Sequence, residues 1–307
     1  MGNEILAAQL RAWLLTAIVP VILTVAGKNG WLTVLVMALV CGALSFCVLS
    51  RTKTALPKWL CILEILWLTV FLGGIARFSG SCWGSNPSIP IILLILATFA
   101  STGGTFRSAR IGATLLWLVL PVLGIVFLAG TSDINTNWLT TELELPSGVL
   151  LALLLYPCTM IFLPEKGKSL RWIGLIFGVV AVAGSILICG TLGADLAKSE
   201  TNGFYEFCRG ITLFGVAERF EALVACALTG GFFALLTLIL STIYQLGAQI
   251  SDKTEKIFIW ICSVASTGLM YILPNSDYWM AIGGVIFWGF LPVAAQGIGV
   301  GKNIEKK

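Results

Sequence analysis

Histidine is absent from the 307 residues, and only 11% of them are charged. The first absence excludes acid–base catalysis, metal ligation and proton relay by imidazole. The second excludes a soluble globular protein, since an ordinary soluble domain carries about 25% charged residues. Nucleophile motifs, phosphate-binding loops and clusters of metal ligands are also missing. We therefore expect no enzyme activity, no cofactor or metal, and no nucleic-acid partner.

The chain is rich in long apolar segments, and 58% of its residues are hydrophobic. A transmembrane helix needs about 20 apolar residues, and bilayer crossing by a single segment requires a helix. Long continuous runs such as Ile91–Leu96 exclude the alternating strands of a membrane barrel. The sequence predicts an all-α, polytopic membrane protein forming one transmembrane domain over residues 1–307. About ten spans are expected, at 8–26, 30–50, 58–78, 88–106, 109–130, 147–163, 170–194, 218–247, 256–274 and 278–300.

The positive charges predict how these spans are oriented. The first apolar stretch lacks the basic segment and cleavage site of a signal peptide, so we expect it to stay as a span. With the N-terminus inside, fourteen of the nineteen Lys and Arg residues fall on the cytoplasmic side. Cytoplasmic loops are enriched in these residues. The bias favours ten spans with both termini in the cytoplasm.

Glu64 is the one ionisable residue well inside a predicted span. A charge in the middle of a membrane helix costs about 2.5–3.5 kcal/mol on insertion scales, so such a residue is often functional. One interpretation is a carboxylate that couples protons or contacts a substrate. The other is a carboxylate that reaches the interface or pairs with a neighbouring helix.

Two prolines, Pro20 and Pro157, fall inside the first and sixth predicted spans. Proline removes a helical hydrogen bond, and paired helix breaks mark the substrate site in many secondary transporters. The spacing favours two inverted repeats of five helices, at about 8–130 and 147–300, although simple kinks would leave the same pattern. On the first interpretation, the candidate ligand-binding residues are those around the breaks: Thr16, Ala17, Ile18, Pro20, Tyr156, Pro157 and Thr159.

The connection between the seventh and eighth spans carries further candidates. Its aromatic and charged residues, around 195–217, are typical of a short helix lying on the outer face. Glu218, Arg219 and Glu221 open the eighth span, where they form either an outer gate or an interfacial helix start. Cys82 and Cys208 fall in two predicted outer loops, and whether they pair is left open.

Several of these segments resemble spore germinant-receptor B-subunit (GerAB-type) permeases, a branch of the amino acid–polyamine–organocation superfamily. The family has an FYE–x–x–R–x–I stretch followed by ER–x–(D/E)–x–L, matched here by Phe204–Ile211 and Glu218–Leu223. Gly104 and Arg110 match the glycine and arginine that follow the fourth helix of the family. Gln9-Leu10 and Gly30–Leu32 match the openings of its first two helices.

The resemblance implies a LeuT-like 5+5 fold that binds a small germinant, often an amino acid, where the first and sixth helices are broken. It also implies a larger A-type subunit and a lipoprotein C-type subunit as partners, in the spore inner membrane or the bacterial cell membrane. Two alternatives stay open. One is a free-standing amino-acid transporter coupled to protons through Glu64. The other is a transport-dead scaffold that holds partner subunits.

Overall fold

The computed structural model describes residues 2–51, 57–84, 86–139, 142–162, 168–200, 202–210, 220–251, 255–274 and 277–294. Helices make up most of these residues, and no β-strand occurs among them. The α-helices are α1 (Gly2–Ala26), α2 (Trp31–Arg51), α3 (Lys58–Ser81), α4 (Ser88–Ser101), α5 (Gly104–Gly130), α6 (Gly148–Leu155), α7 (Ile173–Leu192), α8 (Ala194–Ser199), α9 (Gly203–Gly210), α10 (Phe220–Ile250), α11 (Glu255–Ile272) and α12 (Tyr278–Gly284).

Seven helical segments among the described residues are long and apolar enough to cross a membrane. They contain α1, α2, α3, α5, α7, α10 and α11. Three shorter apolar segments, at Ser88–Ser101, Gly148–Phe162 and Tyr278–Ala294, coincide with the remaining predicted spans. The all-helical class of the described residues therefore agrees with the sequence prediction, and the seven long apolar helices are compatible with a membrane protein.

The shorter segments contain irregular turns. The sixth changes from α-helix to 3-10 helix at Tyr156–Phe162, and the last adopts π-helix geometry at Val285–Phe290. A further 3-10 helix, Lys168–Trp172, precedes α7. Short π segments inside helices often occur at functional sites.

The helices pack around α1, α3 and α10. Helix α10 contacts α1, α3, α4, α5 and α11, while α1 also contacts α5, α6 and α7. On one side α2 lies against α7 and α6, and α12 lies against α6. The largest fully buried side chains include Trp13, Tyr156, Phe71 and Trp288, so the core is rich in aromatic rings.

Polar contacts tie the loops together at the two ends of the bundle. At one end Lys198 forms an ion pair with Glu144, and Asn29 bonds to Ser147. At the other end Gln245 donates to the Thr105 hydroxyl. The first end holds loops that the charge distribution predicts to be outside, and the second holds loops predicted to be cytoplasmic. Below, these are called the predicted outer end and the predicted inner end.

The predicted break in the first span is wrong. Helix α1 runs without interruption from Gly2 to Ala26, through Pro20. The Pro20 ring is buried against Gly231 of α10, where an added Cβ would lie 2.5 Å from the Pro20 Cβ. Proline in a membrane helix is tolerated where neighbouring helices and hydroxyl groups compensate for the lost hydrogen bond. Tight packing on three sides keeps this helix continuous.

The connection after α7 agrees with its prediction where it is described. It forms the short helices α8 and α9, and α9 buries Phe204 and Phe207. The two cysteines for which pairing was left open, Cys82 and Cys208, are both buried free thiols.

Candidate functional site

Glu64 lies in α3, one turn after the start of the buried part of that helix. Its side chain is 0% exposed. Among the described residues, it is the only Asp, Glu, Lys or Arg whose side chain is buried. The interpretation in which this carboxylate reaches the interface therefore does not fit the structure.

The carboxyl group of Glu64 has a single hydrogen-bond donor. The indole Nε1 of Trp288 donates to Oε1 over 2.6 Å, and Oε2 has no partner among the described residues. None of the ion pairs in the described part of the chain involves Glu64. A buried carboxylate without compensation costs several kcal/mol, and one charge-assisted hydrogen bond returns about 1.5–3 kcal/mol.

Aromatic rings of α3 and of the sixth helical segment pack around Trp288, the donor to this carboxyl group. Phe71 of α3 lies 4.9 Å from Trp288 and 5.9 Å from Tyr156, measured between ring centroids. Tyr156 lies 5.4 Å from Trp288, and Trp67 lies 6.0 Å from it. These edge-to-face and offset arrangements are the favourable ones for ring pairs. We call Glu64, Trp67, Phe71, Tyr156 and Trp288 the Glu64 cluster.

A glycine makes room for the largest ring of the Glu64 cluster. A Cβ added at Gly283 in α12 would lie 1.9 Å from Cη2 of Trp67. Trp67 also stacks on Phe287, with ring centroids 5.2 Å apart. Helix α3 therefore contacts the last span through the Trp67 ring, which packs against the backbone of Gly283 and stacks on Phe287.

The sixth helix enters the cluster where its geometry changes. Tyr156 is the first residue of the 3-10 segment, and Pro157 follows it. The Thr159 hydroxyl donates to the Tyr156 carbonyl over 2.7 Å. The Tyr156 hydroxyl lies near Thr242 but has no hydrogen bond of normal geometry among the described residues. The sixth span therefore changes its helical geometry at the predicted position, although Gly148–Phe162 stays helical throughout.

Among the candidate residues of the first helix, Thr16 contacts α5 and Pro20 contacts α10. Thr16, Ala17, Ile18 and Pro20 are all buried. The Thr16 hydroxyl lies 2.7 Å from the carbonyl oxygen of Ala12 and 2.8 Å from that of Gly112 in α5. Thr16 therefore faces α5, and no contact among the described residues places it in the Glu64 cluster.

Of the candidate gate residues, Glu218 and Arg219 lie outside the described residues. Glu221, in the first turn of α10, lies 3.6 Å from Arg209 of α9. Arg209 also pairs with Glu206 over 3.0 Å. These side chains are exposed or half-exposed, and they form one network of ion pairs at the start of α10.

Reasoning from the sequence missed Trp288, Trp67 and Phe71 as partners of Glu64. The available signal was the position of Trp67 and Phe71, three and seven residues after Glu64, which puts them on one face of a helix. Trp288 carries no local signal, because it lies 224 residues away along the chain.

Comparison with protein-family models and with curated proteins finds no match for the chain.

Proposed function

We propose that the chain is a permease-type membrane protein that binds a small ligand such as an amino acid, acting as a sensing subunit like that of a spore germinant receptor. In this proposal, proton binding at Glu64 is linked to rearrangement of the sixth and last spans. The resemblance described above supports the receptor role. The buried carboxyl group with an unpartnered oxygen is the observation that carries the proposal.

The pattern of helix contacts supports a LeuT-like 5+5 repeat. Let α1 to α5 correspond to α6, α7, α10, α11 and α12. The contact of α1 with α5 then corresponds to that of α6 with α12, and α1 with α7 to α6 with α2. Likewise α3 with α4 corresponds to α10 with α11, and α4 with α10 to α11 with α3. The extensive contacts of α10 with α1 and with α5 have no comparable counterparts, so the symmetry is partial.

The ends of the bundle support the proposed ten-span topology. Loops predicted to be outside contact one another at one end, as Lys198 and Glu144 do. Loops predicted to be cytoplasmic meet at the other end, where Lys58 donates to the Ile250 carbonyl. An odd number of spans would place several of these partners on opposite sides of the bilayer.

The energetic state of Glu64 points to coupling. A carboxyl group without hydration needs a proton or a bound cation to compensate for the lost water. Its single donor, Trp288, lies in the π-helical turn, and the neighbouring Tyr156 lies at the start of a 3-10 turn. Irregular helical turns have weaker backbone restraints than a regular α-helix. Charging or neutralising Glu64 therefore acts on the two segments that are easiest to rearrange.

The same observation favours the free-standing proton-coupled transporter as a second candidate. The two functions share the ligand and the role of Glu64, and they differ in whether the lone chain moves substrate. A scaffold that only holds partners has no need for a buried carboxyl group in its core. The scaffold is therefore the function that the geometry supports least.

The test uses the purified full-length chain in proteoliposomes that enclose a pH-sensitive dye, challenged with each of the common amino acids. Wild type is compared with Glu64→Gln and with Glu4→Gln, the same change at an exposed position. We expect an amino-acid-dependent proton movement, or a proton-linked thermal shift without movement, in wild type and Glu4→Gln. Glu64→Gln should lose the proton dependence.

A mild-detergent purification from the native host separates the two candidates. Recovery of a larger membrane subunit and a lipoprotein in comparable amounts supports the receptor subunit. Recovery of the chain alone, with uptake in proteoliposomes, supports the transporter. Glu64→Gln with unchanged proton dependence, or a wild-type chain that responds to no amino acid in either preparation, overturns the proposal.

A further inference from the structure

A second feature lies at the predicted outer end of the bundle, apart from the Glu64 cluster. It is a cavity of about 500 Å³, formed by the ends of α3 and α11 and the beginnings of α4, α6 and α12. Small-molecule sites typically measure about 300–1,000 Å³. None of the five residues of the Glu64 cluster lines it. We call it the Lys28–Asp277 cavity.

The cavity has charges of both signs on its walls. Lys28 and Arg77 line it together with Asp277. The Lys28 ammonium lies 5.7 Å from the centroid of the Phe78 ring, and Arg77 donates to the Leu273 carbonyl. Neither Lys28 nor Asp277 forms an ion pair with another described residue. An ammonium and a carboxylate that share a cavity without pairing can bind a ligand that carries both charges.

The remaining lining is largely apolar. Phe78, Pro90, Trp279 and Met280 contribute side chains to the wall. The floor is close-packed, since a Cβ added at Gly74 would lie 2.6 Å from Cη2 of Trp279. Such a surface suits an uncharged side chain, and Ser81, Asn86 and Tyr271 add a few polar groups to the lining.

Trp279 connects the cavity to the Glu64 cluster. Its ring lies 6.1 Å from that of Trp67 in an edge-to-face contact, and Trp67 lies 6.0 Å from Trp288. Two successive rings, those of Trp279 and Trp67, therefore connect the cavity to the Trp288 indole that donates to Glu64. A molecule that moves Trp279 acts on Trp67 directly.

We propose that the Lys28–Asp277 cavity binds an apolar α-amino acid as its zwitterion. The ligand carboxylate lies toward Lys28 and Arg77, its ammonium toward Asp277, and its side chain against Phe78, Trp279 and Met280. The inference deepens the proposed function, on which it rests, because it names the ligand class and the place where the ligand binds. A zwitterionic lipid headgroup has the same pair of charges, so the test excludes it.

The probes are L-leucine and two analogues that each lack one charge, 4-methylpentanoate and 3-methylbutylamine. Binding to the full-length chain is measured by titration calorimetry in nanodiscs of phosphatidylglycerol, a lipid without an ammonium group. The cavity variants are Lys28→Met and Asp277→Asn. The controls are Lys256→Met and Asp195→Asn, which make the same changes at exposed positions outside the cavity.

In the wild type and both controls, leucine should bind at least about tenfold more tightly than either analogue, as expected for a charge-assisted contact. Asp277→Asn should weaken leucine binding about tenfold and abolish the preference over 4-methylpentanoate. Lys28→Met should abolish the preference over 3-methylbutylamine. Loss of one preference with retention of the other distinguishes a binding role from misfolding.

Other results overturn the proposal. These are no leucine binding at millimolar concentration, equal binding of the singly charged analogues, unchanged preferences in both cavity variants, or leucine binding that phosphatidylethanolamine in the nanodisc abolishes. Glu64→Gln, measured alongside, should keep leucine binding. Leucine binding with unaffected cavity variants refutes the cavity alone. A cavity that behaves as expected, with Glu64→Gln unchanged in its proton dependence, refutes the proposed function alone.

Discussion

Replacing Asn29 by alanine is expected to destabilise the folded bundle by about 2–3 kcal/mol. Asn29 lies in the turn between α1 and α2 and is 2% exposed. Its amide nitrogen donates to the Val25 carbonyl over 3.1 Å and to the Ser147 hydroxyl over 3.2 Å. Its amide oxygen accepts from the Ser147 backbone N–H over 2.7 Å. The side chain thus joins the end of α1 to the residue that precedes α6.

The magnitude follows from the three hydrogen bonds. A typical intramolecular hydrogen bond contributes about 1 kcal/mol net, and one within a membrane bundle about 0.6 kcal/mol. Three such bonds give about 2–3 kcal/mol. The hydrogen bond from the Ser185 hydroxyl to the Asn29 backbone carbonyl, of 2.8 Å, persists in the alanine variant. The loss is therefore confined to the side chain.

The assay is equilibrium unfolding in mixed micelles with increasing fractions of denaturing detergent. Asn135→Ala is the matched control, because the Asn135 side chain accepts a single exposed hydrogen bond, from Asn137 N–H. The control should lose no more than about 1 kcal/mol, the typical cost of losing one helix cap. An Asn29→Ala variant equally close to wild type would refute the assignment of Asn29 as a stabilising link between α1 and α6.

Two further predictions concern the predicted outer end. Gly148→Ala should prevent folding, because the new Cβ would lie 1.9 Å from the Asp277 carbonyl oxygen. The control is Gly124→Ala, whose new Cβ meets nothing within 4 Å. Size-exclusion profiles of the two variants test this, and a monodisperse Gly148→Ala protein would contradict it. The hydrogen bond to Glu144 raises the pKa of Lys198 in the folded protein. The stabilisation of the folded protein by this pair is therefore complete at pH values below 10.5, the ordinary pKa of lysine. It is lost as the pH rises through the pKa of Lys198 in the folded protein. Glu144→Gln should lower the pKa of Lys198 in an NMR titration of dimethylated lysines, and an unchanged pKa would show that Glu144 is not its partner.

The helices themselves follow from the sequence because membrane crossing leaves the backbone little choice. The apolar run predicted at 58–78 forms α3 from Lys58 to Ser81, and the run predicted at 170–194 forms α7 and the turn before it. Local composition decides these elements, since lipid offers no alternative partner for the backbone. The polar connection after α7 became short amphipathic helices for the same local reason.

The predicted helix break at Pro20 was wrong, because the outcome there depends on contacts with other helices. Pro20 satisfies every local rule for a helix break, yet the surrounding helices keep α1 continuous. The donor to Glu64 lies 224 residues away, a distance over which no periodicity carries information. Lys28 entered the sequence argument only as one of the nineteen Lys and Arg residues that predict orientation, and Asp277 did not enter it. Only the fold places them on the walls of one cavity.

The length of helix α10 has a consequence for how its two ends can move. Its 31 residues give a rod of about 46 Å, half as long again as the hydrocarbon layer of about 30 Å. One end carries Glu221 beside Arg209, and the other carries Gln245 against Thr105 at the start of α5. If this helix tilts as a rigid body by about 5° about one end, the other end is displaced by about 4 Å. A rigid tilt of α10 therefore links the position of Glu221 at one end to that of Gln245 at the other.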